Sequence, residues 1–254
     1  MKKLWVVAGV VLLSVCQVLA QDYKLSKSTG KLDIKDLNDV EIEGTSGNEI
    51  VFTSRNGKRE NDERAKGLKA ISAMGLEDNT GFGLSVVDKG DVIEVRQLKK
   101  MDGPDVKILV PKGVSVSFSH SSPHGSDVKF INVEGEIEVS TVHSGVYLDN
   151  ITGPLTINTV HGEIVAKLPA TFKSPISLIS VHGPVDLAMP VATKTDLKLS
   201  TVYGEIFVDP DFKIQMDTKG DLIKYSNTLS GKVNGGGLAI TLSSTHGSVY
   251  LRKK

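Results

Sequence analysis

Residues 155–166 read LTINTVHGEIVA, and much of the chain repeats the pattern of this segment. Four other segments share its centre, which is a hydroxyl residue, then Val or Thr, then His or Tyr, then Gly or Ser. They are STVHSGVYL (140–148), ISVHGPVDL (179–187), STVYGEIFV (200–208) and SSTHGSVYL (243–251). The ring residues are 18, 21, 21 and 43 residues apart and are His143, His161, His182, Tyr203 and His246. A period near 20 residues is typical of stacked copies of one small unit.

Each copy predicts two strands joined by a corner. Leu155, Ile157 and Thr159 alternate on one face, and the run from Val160 to Ala166 alternates on a face shifted by one residue. Strict alternation is typical of strands with one buried face. A phase shift beside a glycine is typical of a bulge or corner, so the glycines of the copies are expected at equivalent corner positions. They are Gly162, Gly183 and Gly204.

Looser copies extend the pattern toward both ends of the chain. His124-Gly125 lies 19 residues before His143, and Thr228–Val233 fits the second half of a copy. We expect Thr228–Val233 to fill the 43-residue gap, after an insertion at 210–220. Toward the N-terminus short alternating runs predict further strands, namely Leu32/Ile34, Val40/Ile42, Ile50/Phe52, Val106/Ile108/Val110 and Val114/Val116/Phe118.

Two all-β architectures fit this spacing. A parallel β-solenoid (β-helix) of roughly 20-residue coils explains why one corner sequence recurs in phase. An antiparallel β-sandwich also has short strands separated by turns, and it is the alternative. The solenoid predicts that residues 139–142, 157–160, 178–181 and 199–202 run parallel and adjacent in chain order. Residues 54–82 depart from the pattern and predict a charged, exposed excursion with at most one poor helix.

The first twenty residues have the parts of a secretory signal peptide. Lys2 and Lys3 precede an apolar stretch, and Val18-Leu19-Ala20 is a small-residue cleavage site. Cys16 raises the alternative of a lipoprotein, but Val15 before it favours cleavage after Ala20. The sequence therefore predicts a signal peptide at 1–20, a single exported domain at 21–254, and a location in the periplasm or at the cell surface.

Composition excludes several classes of partner. Without Lys2 and Lys3 the chain has 28 basic and 30 acidic residues, a formal charge of −2, so we predict no nucleic-acid partner. No segment reaches the ~20 apolar residues of a membrane span. The only cysteine is Cys16, so the exported domain is expected to be held by its own core without disulfides.

Several phrases of the repeat are similar to a known family. The segments ILVPKGVSVSF, VEGEIEVSTVHSGVYL, ITGPLTINTVHGEI and STVYGEIFV resemble the bacterial β-strand-repeat family called "putative adhesin", a domain of unknown function. The resemblance covers residues 100–254 and 25–53 and departs at 54–82. It implies a right-handed β-helix and a location in the cell envelope.

The repeat also brings polar side chains into rows. The hydroxyl row is predicted to bond backbone groups that the corner leaves unpaired, and it consists of Thr141, Thr159, Ser180, Thr201 and Ser244. The histidine row contains the weak candidates for metal ligands, His143, His161, His182 and His246. At a strand spacing of ~4.8 Å two neighbouring histidines could share a zinc ion, whereas histidines two coils apart could not. We predict stacked rings that bind no metal, interrupted by Tyr203, with pKa values below the ordinary value because neighbouring rings repel when protonated.

No catalytic site and no cofactor are predicted. The acidic residues are spread one per strand or turn, as in Asp127, Glu134, Glu136, Glu163, Asp186 and Glu205. Tyr147, Phe207 and Tyr250 recur on one outward face, where they are interpreted as cross-strand packing partners rather than a carbohydrate site. The leading prediction is a non-enzymatic envelope protein whose repetitive β-surface binds an envelope protein or a glycan. The alternatives are a polysaccharide-acting enzyme on the same fold and a weak metal-binding histidine ladder.

Overall fold

The computed structural model describes residues 22–56, 63–216 and 227–254, so the predicted signal peptide and Cys16 lie outside the described residues. Within the described ranges the one helix is a short 3-10 turn at Glu63–Ala65, and the regular structure is otherwise strand. The strands are β1 (Asp22–Leu25), β2 (Thr29–Lys35), β3 (Asp39–Thr45), β4 (Ile50–Ser54), β5 (Leu84–Asp88), β6 (Val92–Gln97), β7 (Asp105–Pro111), β8 (Gly113–His120), β9 (Val128–Ile131), β10 (Ile137–Thr141), β11 (Val146–Asp149), β12 (Leu155–Thr159), β13 (Ile164–Lys167), β14 (Ile176–Ser180), β15 (Val185–Met189), β16 (Thr195–Thr201), β17 (Ile206–Val208), β18 (Ile214–Met216), β19 (Thr228–Val233), β20 (Leu238–Ser244) and β21 (Val249–Lys253).

The strands form two large sheets. The eleven-strand sheet has the order β18-β19-β16-β20-β14-β12-β10-β8-β2-β6-β5. The ten-strand sheet has the order β1-β4-β7-β3-β9-β11-β13-β15-β21-β17. Each copy of the repeat places its first strand in the eleven-strand sheet and its second strand in the ten-strand sheet. We call such a strand–corner–strand element a unit and name it by its two strands, as in β12/β13.

Pairing in both sheets is mostly parallel. Val139, Ile157 and Leu178 are aligned across β10, β12 and β14, so the repeat positions are in register. Among the strands that the structure describes, antiparallel pairs, which the sandwich alternative predicts, occur only at the ends of the sheets, at β1–β4, β4–β7, β5–β6, β16–β19 and β18–β19. The fold is therefore all-β with two mostly parallel sheets.

The C-terminal unit lies out of chain order. In the eleven-strand sheet β20 pairs with β14 on one side and β16 on the other, and in the ten-strand sheet β21 lies between β15 and β17. The predicted adjacency of residues 178–181 and 199–202 is therefore wrong. The prediction that Thr228–Val233 fills the gap as a copy is also wrong, because this strand, β19, pairs antiparallel with β16. Every unit presents the same alternation to its neighbours, so the pattern does not encode their order.

The N-terminal unit is inserted in the same manner. Strand β2 lies between β8 and β6, and β3 lies between β9 and β7. The stack of units therefore runs β6/β7, β2/β3, β8/β9, β10/β11, β12/β13, β14/β15, β20/β21, β16/β17. Each end of the chain contributes a unit that lies one position in from an end of the stack.

The core is the row of side chains that the units turn inward. In β12 and β13 the buried residues alternate with exposed or half-buried ones, and Ile157 and Ile164 are fully buried. One cluster of buried apolar side chains includes residues from Leu32 to Leu251. Burial of each large aliphatic side chain contributes about 1.5 to 3 kcal/mol, so the repeat itself supplies the stability. The division into a signal peptide and a single domain stays a prediction.

The excursion at 54–82 begins at the end of β4 and, where it is described, has little regular structure. The 3-10 turn precedes Gly67, whose φ of 78° is accessible to glycine at little cost. Leu68, Ile71 and Met74 are exposed, and Phe82 returns the chain to the core. The exposure expected from the mixed charge is found, but the short helix is 3-10 rather than α.

Candidate functional site

The hydroxyl row closes the corners. Thr159 Oγ1 donates to the carbonyl of Gly162 at 2.7 Å, and Thr141 Oγ1 bonds the carbonyl of Ser144 in the same way. Ser180 Oγ accepts from the backbone N–H of Gly183 at 2.9 Å. Thr201 and Ser244 make equivalent bonds at their corners, and all five hydroxyl residues are buried. The predicted structural role of these residues is confirmed.

Four of the five rings are followed by a glycine, and His143 is followed by Ser144; these four glycines are required by a close approach of two backbones. A Cβ on Gly162 would lie 2.0 Å from the carbonyl oxygen of Ser144, and one on Gly183 would lie 2.1 Å from that of Gly162. The same contact recurs from Gly247 to Gly183 and from Gly204 to Gly247. The predicted equivalence of the corner glycines is confirmed, and its cause is crowding by the neighbouring unit.

Beside these glycines the ring residues form one continuous stack, which we call the corner row: His143, His161, His182, His246 and Tyr203. Successive ring centroids are 5.5, 4.8, 4.6 and 4.8 Å apart, and the planes of neighbouring rings differ by 8° to 13°. Because the C-terminal unit is inserted, His246 lies between His182 and Tyr203. The prediction that Tyr203 interrupts the histidines is therefore wrong, and Tyr203 ends the row.

Backbone hydrogen bonds hold the corner row in register. The N–H of His161 donates to the carbonyl of Val142 at 2.9 Å, and that of His182 donates to Val160 at 2.8 Å. His246 and Tyr203 continue this ladder. All five ring residues are exposed, Tyr203 by 73%. The backbone at each ring is thus held in register, and the stacked rings themselves face solvent.

The stacking geometry does not favour a shared metal ion. The nitrogen lone pairs of imidazole lie in the ring plane, so rings that are nearly parallel direct them side by side rather than toward one point. Within the described ranges no group of three or more His, Cys, Asp or Glu side chains could hold a metal ion. The absence of a bound metal at His143, His161, His182 and His246 stays a prediction.

The position of His182 in the row changes how it responds to acid. The pKa of His182 lies below the ordinary value of 6.5, first because partial burial desolvates it and then because His246 and His161 repel its charged form. Positive charge on either neighbouring ring therefore disfavours protonation of His182.

The outward aromatic residues of the ten-strand sheet have separate partners. The Phe207 and Tyr250 rings stack at 5.1 Å, and the Arg252 guanidinium lies 5.0 Å from the Tyr250 ring while pairing with Asp186. The Tyr147 hydroxyl donates to Glu163, which raises the pKa of Tyr147 to about 12. Cross-strand packing is confirmed for Phe207 and Tyr250, whereas Tyr147 is separated from them by β13 and β15.

Acidic residues that the sequence places one per strand have individual partners. Glu134 pairs with Lys112, and Asp127 accepts from the backbone N–H of Gly145. Asp186 and Glu163 are engaged with Arg252 and Tyr147 as described above. These four carboxylates hold neighbouring strands or turns together.

Sequence analysis missed a buried histidine at the N-terminal side of the hydroxyl row. His120 is 2% exposed and in register with Thr141. Its Nε2 lies 3.2 Å from Asn38 Oδ1, and its Nδ1 lies 3.2 Å from Ser144 Oγ. Burial lowers the pKa of His120. The inward alternation of β8 ends on this residue, and that signal could have identified it.

His124, which the sequence placed in the ring series, lies elsewhere. It is exposed in the turn after β8, and no ring contact joins it to the corner row among the described residues. The turn at 121–125 differs from the corners of the later units, so the spacing of 19 residues is not sufficient to place a ring in the row.

Comparison with known proteins gives distant structural neighbours. No family model and no curated protein matches the chain. A solved structure described as a "putative cell adhesion protein" from Clostridium sporogenes has 11% identity and a TM-score of 0.40, over 92% of this chain and 100% of that one. A "putative adhesin" from Bacteroides fragilis has 11% identity and a TM-score of 0.38, over 92% and 96%. Another from Parabacteroides merdae has 12% identity and a TM-score of 0.31, over 91% and 95%. The second and third descriptions carry the same label as the family that the sequence resembles.

In the ranges that the structure describes, no helix combines the length and the apolar character needed to cross a bilayer.

Proposed function

We propose that the protein is a non-enzymatic, exported component of the cell envelope and that its corner row is an adhesive surface for a repetitive partner. The observation that carries this proposal is the continuous row of five exposed rings across five units. Like residues repeated along a rigid edge suit a partner that itself repeats, such as a glycan chain or an extended protein segment.

The row offers the edges of its rings rather than their faces. Because each inner ring is stacked on both sides, a sugar cannot lie flat on it as on an isolated aromatic platform. The edges offer imidazole nitrogens and the Tyr203 hydroxyl as donors and acceptors, at the 4.6 to 5.5 Å spacing of the rings. Since the rings are already stacked on one another, binding orders few additional side chains, and several weak contacts act together.

The proposed architecture includes a right-handed β-solenoid in which each unit is one coil. Parallel pairing, the registered corners and the shared core support this arrangement. A connection between parallel strands is right-handed in most folds, which favours this hand.

A binding experiment with matched variants tests the surface. Labelled protein is applied to a glycan array and to envelope fractions of its own cell, with His161→Ala/His182→Ala as the row variant. Thr156→Ala/Asn158→Ala is the control, because both residues are exposed on β12 in the same region. We expect the row variant to weaken binding about tenfold and the control to leave it unchanged, since the row loses two of its central contacts. If both variants bind equally well, the corner row is not the adhesive surface.

Mass spectrometry of the protein from its native cell tests export. We expect a chain that begins at Gln21 and carries no lipid. A diacylated chain beginning at Cys16 would replace the proposed soluble form with a lipid-anchored one. A chain that retains Met1–Ala20 would contradict export.

A further inference from the structure

A cleft at the N-terminal side of the stack brings together side chains that the sequence keeps far apart. It has a volume of about 350 Å³ and is bounded by four segments, at 35–38, 74–76, 96–100 and 121–123. This volume is within the range of small-ligand sites. The segments belong to the inserted unit β2/β3, the excursion, the end of β6 and the turn after β8. Unlike the corner row, the cleft is a convergence of different side chains.

The cleft has an excess of positive charge. Lys35, Arg96, Lys99 and Lys100 line it, against the single carboxylate of Asp36. Lys35 pairs with Asp33 at 2.8 Å, but no hydrogen bond or ion pair engages the Arg96, Lys99 or Lys100 side chain in the described ranges. The whole chain has no net charge, so this excess is local. Arg96 helps to lower the pKa of Glu94 by charge attraction but forms no ion pair with it, so three cations retain free hydrogen-bond donors for a ligand.

Asp36 makes its hydrogen bonds to the turn after β8. Its Oδ1 accepts hydrogen bonds from the backbone N–H of Ser121 at 3.1 Å and from the Ser121 hydroxyl at 3.3 Å. Its backbone has a φ of 51°, in the left-handed region that aspartate tolerates better than most residues. The carboxylate therefore ties the β2–β3 corner to the turn after β8, and within the described ranges no ion pair joins it to a cation of the cleft.

The floor of the cleft is polar and rigid. Asn38 and Gln97 are both buried, the Asn38 N–H donates to Gln97 Oε1 at 3.1 Å, and Asn38 Nδ2 donates to the Lys100 carbonyl at 3.1 Å. Asn38 Oδ1 is also within hydrogen-bond distance of His120 Nε2, and this contact links the floor to the unit β8/β9. Since these groups are already bonded, the floor needs no rearrangement when a ligand enters.

The remaining wall is apolar. Met74, Leu76, Leu98 and Pro123 face the cleft, and Met74 belongs to the part of the excursion that is otherwise exposed. An apolar body packed on these side chains would be removed from water together with them. A cleft with both cations and apolar side chains therefore matches a ligand that has an anionic group and an apolar part.

We infer that this cleft binds a small amphipathic anion, in which a carboxylate or sulfonate is attached to an apolar body. The anionic group pairs with the Arg96, Lys99 and Lys100 side chains, where the guanidinium can give two parallel hydrogen bonds. The apolar body lies against the Met74 and Leu76 side chains. This site shares no residue with the corner row, so it stands or falls independently of the proposed adhesive function.

Two fluorescent dyes with the same aromatic body test the inference. Anilinonaphthalene sulfonate carries the anionic group, and N-phenylnaphthylamine lacks it. We expect the full-length protein to bind the sulfonate dye at least about tenfold more tightly, because the charged pairs form only with that dye. Octanoate should displace the sulfonate dye, and octanol should not. Equal affinity for the two dyes, or displacement by octanol alone, would overturn the inference.

Substitutions locate the site. Arg96→Gln/Lys100→Gln should weaken the sulfonate dye about tenfold and leave the neutral dye unchanged. Lys198→Gln/Lys232→Gln, on exposed positions of β16 and β19, is the charge-matched control and should change neither affinity. If the first variant unfolds, Lys99→Gln and Met74→Ser replace it, since both side chains are exposed. Unchanged sulfonate affinity in folded Arg96→Gln/Lys100→Gln, or in both replacement variants, would show that the dye binds elsewhere and contradict the inference.

Discussion

The middle of the stack and its two ends are built from the same unit but joined in different ways. From β8/β9 to β14/β15 the four units lie side by side in chain order in both sheets. Near one end β2/β3 lies between β6/β7 and β8/β9, and near the other end β20/β21 lies between β14/β15 and β16/β17. Both units are therefore out of chain order. The inserted units are nevertheless as well buried, with Ile34 and Leu242 fully inaccessible.

The comparison shows that the features which define a unit do not determine its place in the stack. The corner bonds, the glycine contact and the inward alternation define a unit, and β20/β21 has all three. These features do not fix its position, because the neighbouring units share them. Insertion also gives both inserted units two neighbours each, whereas terminal segments of most domains have few contacts and fray.

Deletion of the C-terminal unit should have the largest effect. Ile240, Leu242, Val249 and Leu251 are buried, and their burial contributes about 6 to 12 kcal/mol in total. This is comparable to the stability of a typical domain, so a chain lacking residues 238–254 should lose its cooperative thermal unfolding. Circular dichroism measures the transition. Deletion of Asp22–Leu25, which pairs only with β4, is the control and should lower the melting temperature slightly. A cooperative transition within a few degrees of the full chain after deletion of residues 238–254 would contradict the insertion.

A pair of cysteines should report the order of units directly. Ile179 is aligned with Ser243 on β20, so Ile179→Cys/Ser243→Cys in a Cys16→Ser background should form a disulfide. Closing this long loop is expected to stabilise the protein by about 4 kcal/mol, less any strain. Ile179→Cys/Ser200→Cys is the control, because Ser200 lies one strand further, at ~9.6 Å by strand spacing, and should stay reduced. Mass spectrometry after mild oxidation detects the disulfides. A disulfide in Ile179→Cys/Ser200→Cys and none in Ile179→Cys/Ser243→Cys would show that the units stack in chain order.

Corner glycines should be equally sensitive in the middle and in the inserted unit. An alanine Cβ would lie 2.1 Å from a backbone oxygen at Gly183 and 2.4 Å from one at Gly247. We expect Gly183→Ala and Gly247→Ala each to lower the free energy of unfolding by about 2 to 3 kcal/mol, because backbone must shift. Chemical denaturation measures both. Gly47→Ala, whose Cβ would meet only ordinary contacts at 3.6 Å, is the control. A harmless Gly247→Ala beside a damaging Gly183→Ala would show that the inserted unit packs more loosely.

Acid should weaken the junction between the N-terminal unit and the middle. His120 at this junction has a lowered pKa because it is buried; His143 lowers it further, while Asp36 and Asp39 raise it. As pH falls below 6.5, the unfolded chain takes up a proton that folded His120 resists, so stability falls until the folded pKa is reached. The loss is at most about 1.4 kcal/mol per pH unit for one proton. Histidine titration by NMR should place the His120 and His182 pKa values below 6.5, and a His120 value at or above 6.5 would contradict its burial.

Zinc should have the smallest effect. The corner row crosses from the middle into the inserted unit at His182 and His246, which stack at 4.6 Å with their planes 11° apart. Because the lone pairs of parallel rings do not converge, we expect no change in melting temperature at micromolar zinc. A zinc-dependent rise that His161→Ala abolishes would show that the row binds metal and would reassign it from an adhesive to a metal-binding surface.

The sequence predicts the unit well and the stack only in part. Alternation around Thr159 and Gly162 gives both strands, the inward hydroxyl and the close glycine contact, because each depends on local spacing. The placement of His246 beside His182 depends on which remote strands pair, and an identical pattern in every unit leaves that choice open. The cleft was missed for a related reason. Asn38, Gln97 and Ser121 have no common motif, and they meet only because β2/β3 is inserted beside β8/β9.

The inserted C-terminal unit has a consequence for the time course of folding. Synthesis delivers β16/β17 before β20/β21, yet the finished stack places β20/β21 between β16/β17 and β14/β15. A nascent chain that docks β16 directly on β14 must release it again before the last seventeen residues can enter. Contacts between such remote segments slow folding. We therefore expect refolding to have a slow final phase, which stopped-flow measurements should show to be absent from a circular permutant that places β20/β21 before β16/β17.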